Sequence, residues 1–162
     1  MKDSMDAAHD LQVPSRQRRA AFLAVTGLVL VWAGLLAGVS FLATPVKFLA
    51  PDLSLTVALE VGRVTFRALN WTELAFGVIA VVLSRLAGGR LLTLALVILL
   101  ALVVAQTVWL LPVLGERTDI VVSGGTLPPS SLHTWYVVFE VTKLAGLLAV
   151  GITALVRGPT AS

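Results

Sequence analysis

The chain has 162 residues, 57% of them hydrophobic and only 13% charged, with a mean hydropathy of +0.95. A soluble domain carries about a quarter charged residues, so this chain has too few polar groups to cover itself in water and reads as one integral membrane domain. Its net charge of +3 does not point to nucleic acid, because the basic residues cap apolar runs and form no aromatic-interleaved patch; the lack of cysteine excludes disulfides, thiol catalysis and iron–sulfur clusters.

Residues 1–19 are polar, with Pro14 and a basic group of Arg16, Arg18 and Arg19, and read as a disordered tail. An uncharged run over 20–44 is long enough to cross a bilayer with some tilt. It also exceeds the 7–15 residues usual for a signal-peptide core, although Ala37, Ala43 and the upstream arginines fit a cleavage pattern superficially. Pro45 is expected to end this helix, and Pro51-Asp52 to open the next, over 52–87. That second segment is longer than one bilayer thickness. Either it is a single tilted helix whose end projects, or it bends near Asn70-Trp71-Thr72 and lays its first half in the interface; the first reading is favoured.

Gly88-Gly89 makes a tight break, with glycine free to take a left-handed cap, so the second and third helices form an antiparallel hairpin. The third helix is expected over 91–111, ending at Pro112, and 113–130 reads as a loop in which Arg117 to Ser123 form a short helix or strand. Ser130 or Ser131 is expected to cap a fourth helix over 131–156, with 158–162 as a tail. Seven Lys and Arg side chains fall on the side of the termini: Lys2, Arg16, Arg18, Arg19, Arg85, Arg90 and Arg157. The other side has Lys47 and Arg117, with Arg63 and Arg67 adjoining the membrane. The positive-inside rule then gives an all-α, four-helix transmembrane bundle with both termini cytoplasmic.

The second helix carries a polar stripe of Thr56, Glu60, Arg63, Arg67, Asn70 and Glu73, at steps of three and four that place them on one face. An unpaired charge in hydrocarbon costs at least a few kcal/mol, so such a face turns toward protein or trapped water. At about 1.5 Å per residue, Glu73 lies roughly 18 Å above Arg85, and Gln106 roughly 24 Å above Arg90. Glu140 and Lys143 enter from the opposite end to similar depth, roughly 14 and 18 Å below Ser131. His133, Tyr136, Glu140 and Lys143 share a face. The candidate polar cluster is therefore Glu60, Arg63, Arg67, Asn70, Glu73, Gln106, His133, Tyr136, Glu140 and Lys143. It admits a structural reading, an ion pair of Glu140 and Lys143 supplemented by Arg63 or Glu73 that locks helix register. It also admits a relay reading, with Glu73 or Glu140 carrying a proton.

Haem and metal sites in membranes need several placed imidazoles, and besides His133 the chain has only His9 in its tail, so no cofactor or metal is expected. No phosphate loop, catalytic triad order or metalloprotease motif occurs. Gly34 and Gly38 form a GxxxG pair, and Ala145 with Ala149 a smaller version; internal packing is the expected use, dimerisation the alternative. Trp71, Trp109 and Trp135 read as interfacial anchors, whereas Trp32 lies mid-run and packs internally or against lipid.

The segments GVSFLATPVKFLAPDLSLTVALEVGRVTFRALNWTE, QTVWLLPVL and LPPSSLHTWYVVFEVTKLAGLL resemble a group of small four-pass bacterial inner-membrane proteins, over roughly residues 34–150. Matching positions include Pro45, Lys47, Pro51, Gly62, Arg63, Phe66, Asn70, Glu73, His133, Tyr136, Glu140 and Lys143. The resemblance implies a multi-pass protein of the bacterial plasma membrane and brings no activity, since the group has none established. The expected function is a non-enzymatic membrane component or accessory subunit, meeting the lipid bilayer and a second copy or second membrane protein. A small proton-coupled transporter or ion-conducting oligomer is the alternative.

Overall fold

Long runs of Leu, Val and Ala in hydrocarbon satisfy their backbone by internal helical hydrogen bonding. The computed structural model, which describes residues 15–158, is accordingly helical with no strand among the described residues. Four spans are long and apolar enough to cross a membrane: Arg16–Leu49, Leu55–Ala87, Arg90–Val122 and Leu132–Arg157. Each packs against two neighbours, giving an up-and-down bundle in the ring order first, second, third, fourth. The amino end of the first span, the Gly88-Gly89 turn and the carboxyl end of the fourth share one end of the bundle, here the terminal end; the other is the far end.

The second span is one unbroken helix of 33 residues, so the bend considered near Asn70 does not occur. It starts at Leu55, after Ser54 accepts a hydrogen bond from the Val57 amide at 3.3 Å, and not at Asp52. At about 50 Å it is longer than the hydrocarbon is thick. Gly88 ends it at φ +79°, in the left-handed conformation a side chain resists.

Proline does not stop the first and third spans where expected. The first begins at Ser15, inside the segment read as a tail (the rest of it, 1–14, and 159–162 lie outside the described residues), and continues past Pro45 to Leu49. The third passes Pro112 and runs to Val122, so the loop expected over 113–130 shrinks to 123–131. Both helices widen just before the proline, over Ala37–Ala43 and Gln106–Leu110. There the Thr44 amide bonds the Val39 carbonyl and the Leu111 amide the Gln106 carbonyl, five residues back instead of four. In a regular helix a proline ring strikes the carbonyl four residues earlier and supplies no N–H. The extra residue in the widened turn relieves that clash, and the helix carries on. The fourth span is Leu132–Arg157, with Ser131 at its cap position but without the expected side-chain hydrogen bond.

The apolar core lies toward the terminal end: Val25, Val29, Trp32 and Leu36 meet Ala80, Leu96, Leu99, Val103 and Leu147. Close approach is set by Gly77, Gly146 and Gly151, where an added Cβ would come within 2.8, 2.8 and 2.7 Å of Leu100, Leu99 and Leu30. Internal packing at Gly34 and Gly38 is not observed. No atom lies within 4 Å of a Cβ built at either, and Gly34, Ala145 and Ala149 are exposed on the bundle surface.

Candidate functional site

Above the apolar core, four spans each turn polar side chains inward. Glu73 projects from the second span one turn below Asn70, and both are buried. Glu140 and Lys143 sit one turn apart on the fourth. The widened turns present Ser40 from the first span and Gln106 from the third, and Trp32 enters from the first span two turns below Ser40.

Lys143 is the hub. Its side chain has no solvent exposure, and its Nζ lies 2.6 Å from Glu73 Oε2 and 2.8 Å from Glu140 Oε1. Trp32 Nε1–H donates to Glu73 Oε1 at 2.9 Å, so both oxygens of that carboxylate are occupied. Gln106 Nε2 donates to Glu140 Oε1 at 3.0 Å and Ser40 Oγ to Glu140 Oε2 at 2.6 Å. Charge-assisted bonds of this kind are about twice as strong as neutral ones, and satisfying every lone pair is what makes a buried ion set tolerable. Gln106 Oε1 is the one buried side-chain polar atom without a partner among the described residues. Buried Tyr136 packs its ring against Phe66, with centroids 4.8 Å apart, beside Glu140 and Ser40.

The cluster holds two carboxylates and one ammonium, which leaves one negative charge in excess when all three are ionised. Asn70 belongs to its upper edge, where Thr107 donates to Asn70 Oδ1 at 2.7 Å or to its own Val103 carbonyl at 2.8 Å. Those two side chains also form the floor of a cavity of about 1020 Å³ that opens at the far end.

The remaining candidates, Glu60, Arg63, Arg67 and His133, stand apart from the ion set, and all but Glu60 line that cavity. Arg63 pairs with Asp119 of the third span and lies 4.0 Å from Glu60, whose side chain is half exposed. Arg67 and His133 are exposed and line the cavity. The stripe on the second span thus divides. Asn70 and Glu73 are buried, while Arg63 and Arg67 line the far-end cavity and Thr56 and Glu60, nearer the helix start, do not line it. Arg63 does not supplement the Glu140–Lys143 pair; Glu73 does. From the sequence, Trp32 is expected to pack internally or against lipid, and none of Trp32, Ser40 and Thr107 is expected in the polar cluster. A mid-run tryptophan whose indole N–H needs an acceptor was the available signal for the first; a serine in an apolar span gives none. Among the described residues no group of three His, Cys, Asp or Glu is placed to hold a metal ion.

Comparison with family models, with curated proteins and with solved structures gives no match.

Proposed function

We propose that the chain is a non-catalytic component of the bacterial plasma membrane, an accessory or partner-binding subunit whose ion cluster fixes how its four spans pack. The observation that carries this reading is the Lys143 ammonium, fully buried between Glu73 and Glu140 while the first and third spans supply the remaining donors. Apolar side chains discriminate poorly between helix registers in lipid, where tails are as greasy as leucine; a polar set that closes in one arrangement selects it. The plasma membrane and cytoplasmic termini are supported by the excess of basic residues at the terminal end and by the resemblance to four-pass inner-membrane proteins. The open Gly34/Gly38 face supports a partner-binding role.

The test is the full chain in liposomes under an imposed pH gradient. The wild type is expected to pass no protons above lipid background, and Glu140→Gln to lower thermal stability in detergent without changing that flux. Proton flux in the wild type that vanishes in a normally folded Glu140→Gln variant would establish the second reading, a proton-coupled carrier. That reading rests on the surplus carboxylate and on the cavity floor lying one turn above Glu73.

A further inference from the structure

The far-end cavity shares Asn70 with the upper edge of the ion cluster but none of the cluster's charged groups. Four basic side chains line it, Lys47, Arg63, Arg67 and Arg117, against two acidic ones, Glu116 and Asp119. Arg63 is held by Asp119, and Arg117 donates to the Pro128 carbonyl at 2.6 Å. Lys47 and Arg67 have no hydrogen-bond or ion-pair partner among the described residues. Lys47 arrives from the last turn of the first span and lays its ammonium against Gly62 of the second, where a Cβ would sit 2.6 Å from Nζ. A side chain there would push the flexible end of Lys47 aside. The walls around these cations are aromatic and aliphatic: Phe48, Phe66, Trp71 and Leu111. Phe48 and Trp71 are 53% and 64% exposed, so the cavity wall runs out to the side of the bundle as well as to the far end.

Depth selects the occupant. Arg67 lies eighteen residues above Arg85 on one unbroken helix, or roughly 27 Å, close to the ~30 Å hydrocarbon thickness. If Arg85 marks one boundary, Arg67 sits at the headgroup level of the other leaflet. A water-soluble anion would use the cations and leave the greasy walls unfilled; a zwitterionic lipid would fill the walls and gain little from the surplus charge.

We infer that this cavity binds an anionic membrane lipid, its phosphate between Lys47 and Arg67 and the first part of its acyl chain against Trp71, four residues deeper than Arg67 on the same helix. The test uses the purified full chain in neutral detergent with three probes: phosphatidylglycerol, phosphatidylcholine and inorganic phosphate. Native mass spectrometry reads retained lipid, and the thermal midpoint reads stabilisation. Phosphatidylglycerol is expected to be retained and to raise the midpoint, while the other two do neither. The double variant Lys47→Gln/Arg67→Gln removes two half-buried or exposed charges and should fold normally while binding phosphatidylglycerol roughly thirtyfold more weakly, at about 1 kcal/mol per surface cation. Gly62→Leu, which displaces the Lys47 ammonium, should weaken it in the same direction. Equal retention of the two lipids, unchanged binding in the double variant, or an equal shift with inorganic phosphate would each overturn the assignment. None of these outcomes bears on the proton-flux test, because Glu73, Glu140 and Lys143 are untouched.

Discussion

Lys143 meets two carboxylates with one positive charge, so the three side chains are not equivalent targets. Replacing Glu140 by Gln leaves a balanced Glu73–Lys143 pair, with an amide oxygen still able to accept from Lys143 and Gln106 while its NH2 donates to the Ser40 hydroxyl, and should cost about 1 kcal/mol, the scale of one buried hydrogen bond. Lys143→Met leaves two facing carboxylates without a cation and should cost about 3–5 kcal/mol. Denaturation of detergent-solubilised protein by a harsher detergent would rank the two. The triple variant Lys143→Met/Glu73→Gln/Glu140→Gln removes all three charges and should recover most of the loss; a triple variant as weak as Lys143→Met alone would show that the lysine stem, not charge, matters. Glu73, Gln106, Glu140 and Lys143 were legible because ionisable or amide groups at matching depth in separate spans have few places to go. Glu60, Arg63 and Arg67 share the same periodicity but lie nearer the far end, where Arg63 meets Asp119 and Glu60, and Arg67 is exposed. Periodicity gives a face and says nothing of height.

At the level of the helices, the two widened turns set the register of everything beyond them. Pro45→Ala restores an N–H and removes the ring that would strike the Phe41 carbonyl in a regular helix, so the turn should relax to regular α geometry and rotate residues 44–49 by about 100°. The native chain has no cysteine, so Lys47→Cys/Gly62→Cys reports this directly with a short bifunctional thiol reagent. The pair should cross-link with Pro45 present and lose most of its cross-linking when it is alanine; equal yields in both backgrounds would show that packing, not proline, holds the wide turn. Helix number and the Gly88 cap were readable from hydropathy and glycine, whereas the extents of the first and third spans were not. Proline is a stop signal only if the helix cannot add a residue before it, and a sequence does not reveal that accommodation. Glycine divides in the same way. Gly77→Val puts branched atoms where Leu100 already lies at 2.8 Å from a Cβ and should cost about 1–3 kcal/mol, while Gly34→Val meets open space and should leave the thermal midpoint of the isolated chain unchanged.

For the molecule as a whole, the even number of spans puts the described chain's two ends at the same end of the bundle, and charge then decides which side that is. Arg16, Arg18, Arg19, Arg85, Arg90 and Arg157 crowd the terminal end. The far end balances Lys47, Arg63, Arg67 and Arg117 with Asp52, Glu60, Glu116 and Asp119, yet Lys47 and Arg67 have no ion-pair partner among the described residues. Basic residues resist translocation far more strongly than acidic ones favour it, so the terminal end should remain inside. Single cysteines before Ser15, after Gly158 and at Thr126 test this in intact bacterial cells with a membrane-impermeant maleimide. Thr126→Cys should label before lysis and the two terminal cysteines only after it. The reverse pattern would place the basic cavity in the cytoplasmic leaflet, where anionic lipid is also present, and would leave the lipid assignment standing while inverting the topology. Labelling of one terminus but not the other would be more damaging. It would require an odd number of crossings, and an ion set drawn from four spans that close on one another does not survive losing one of them.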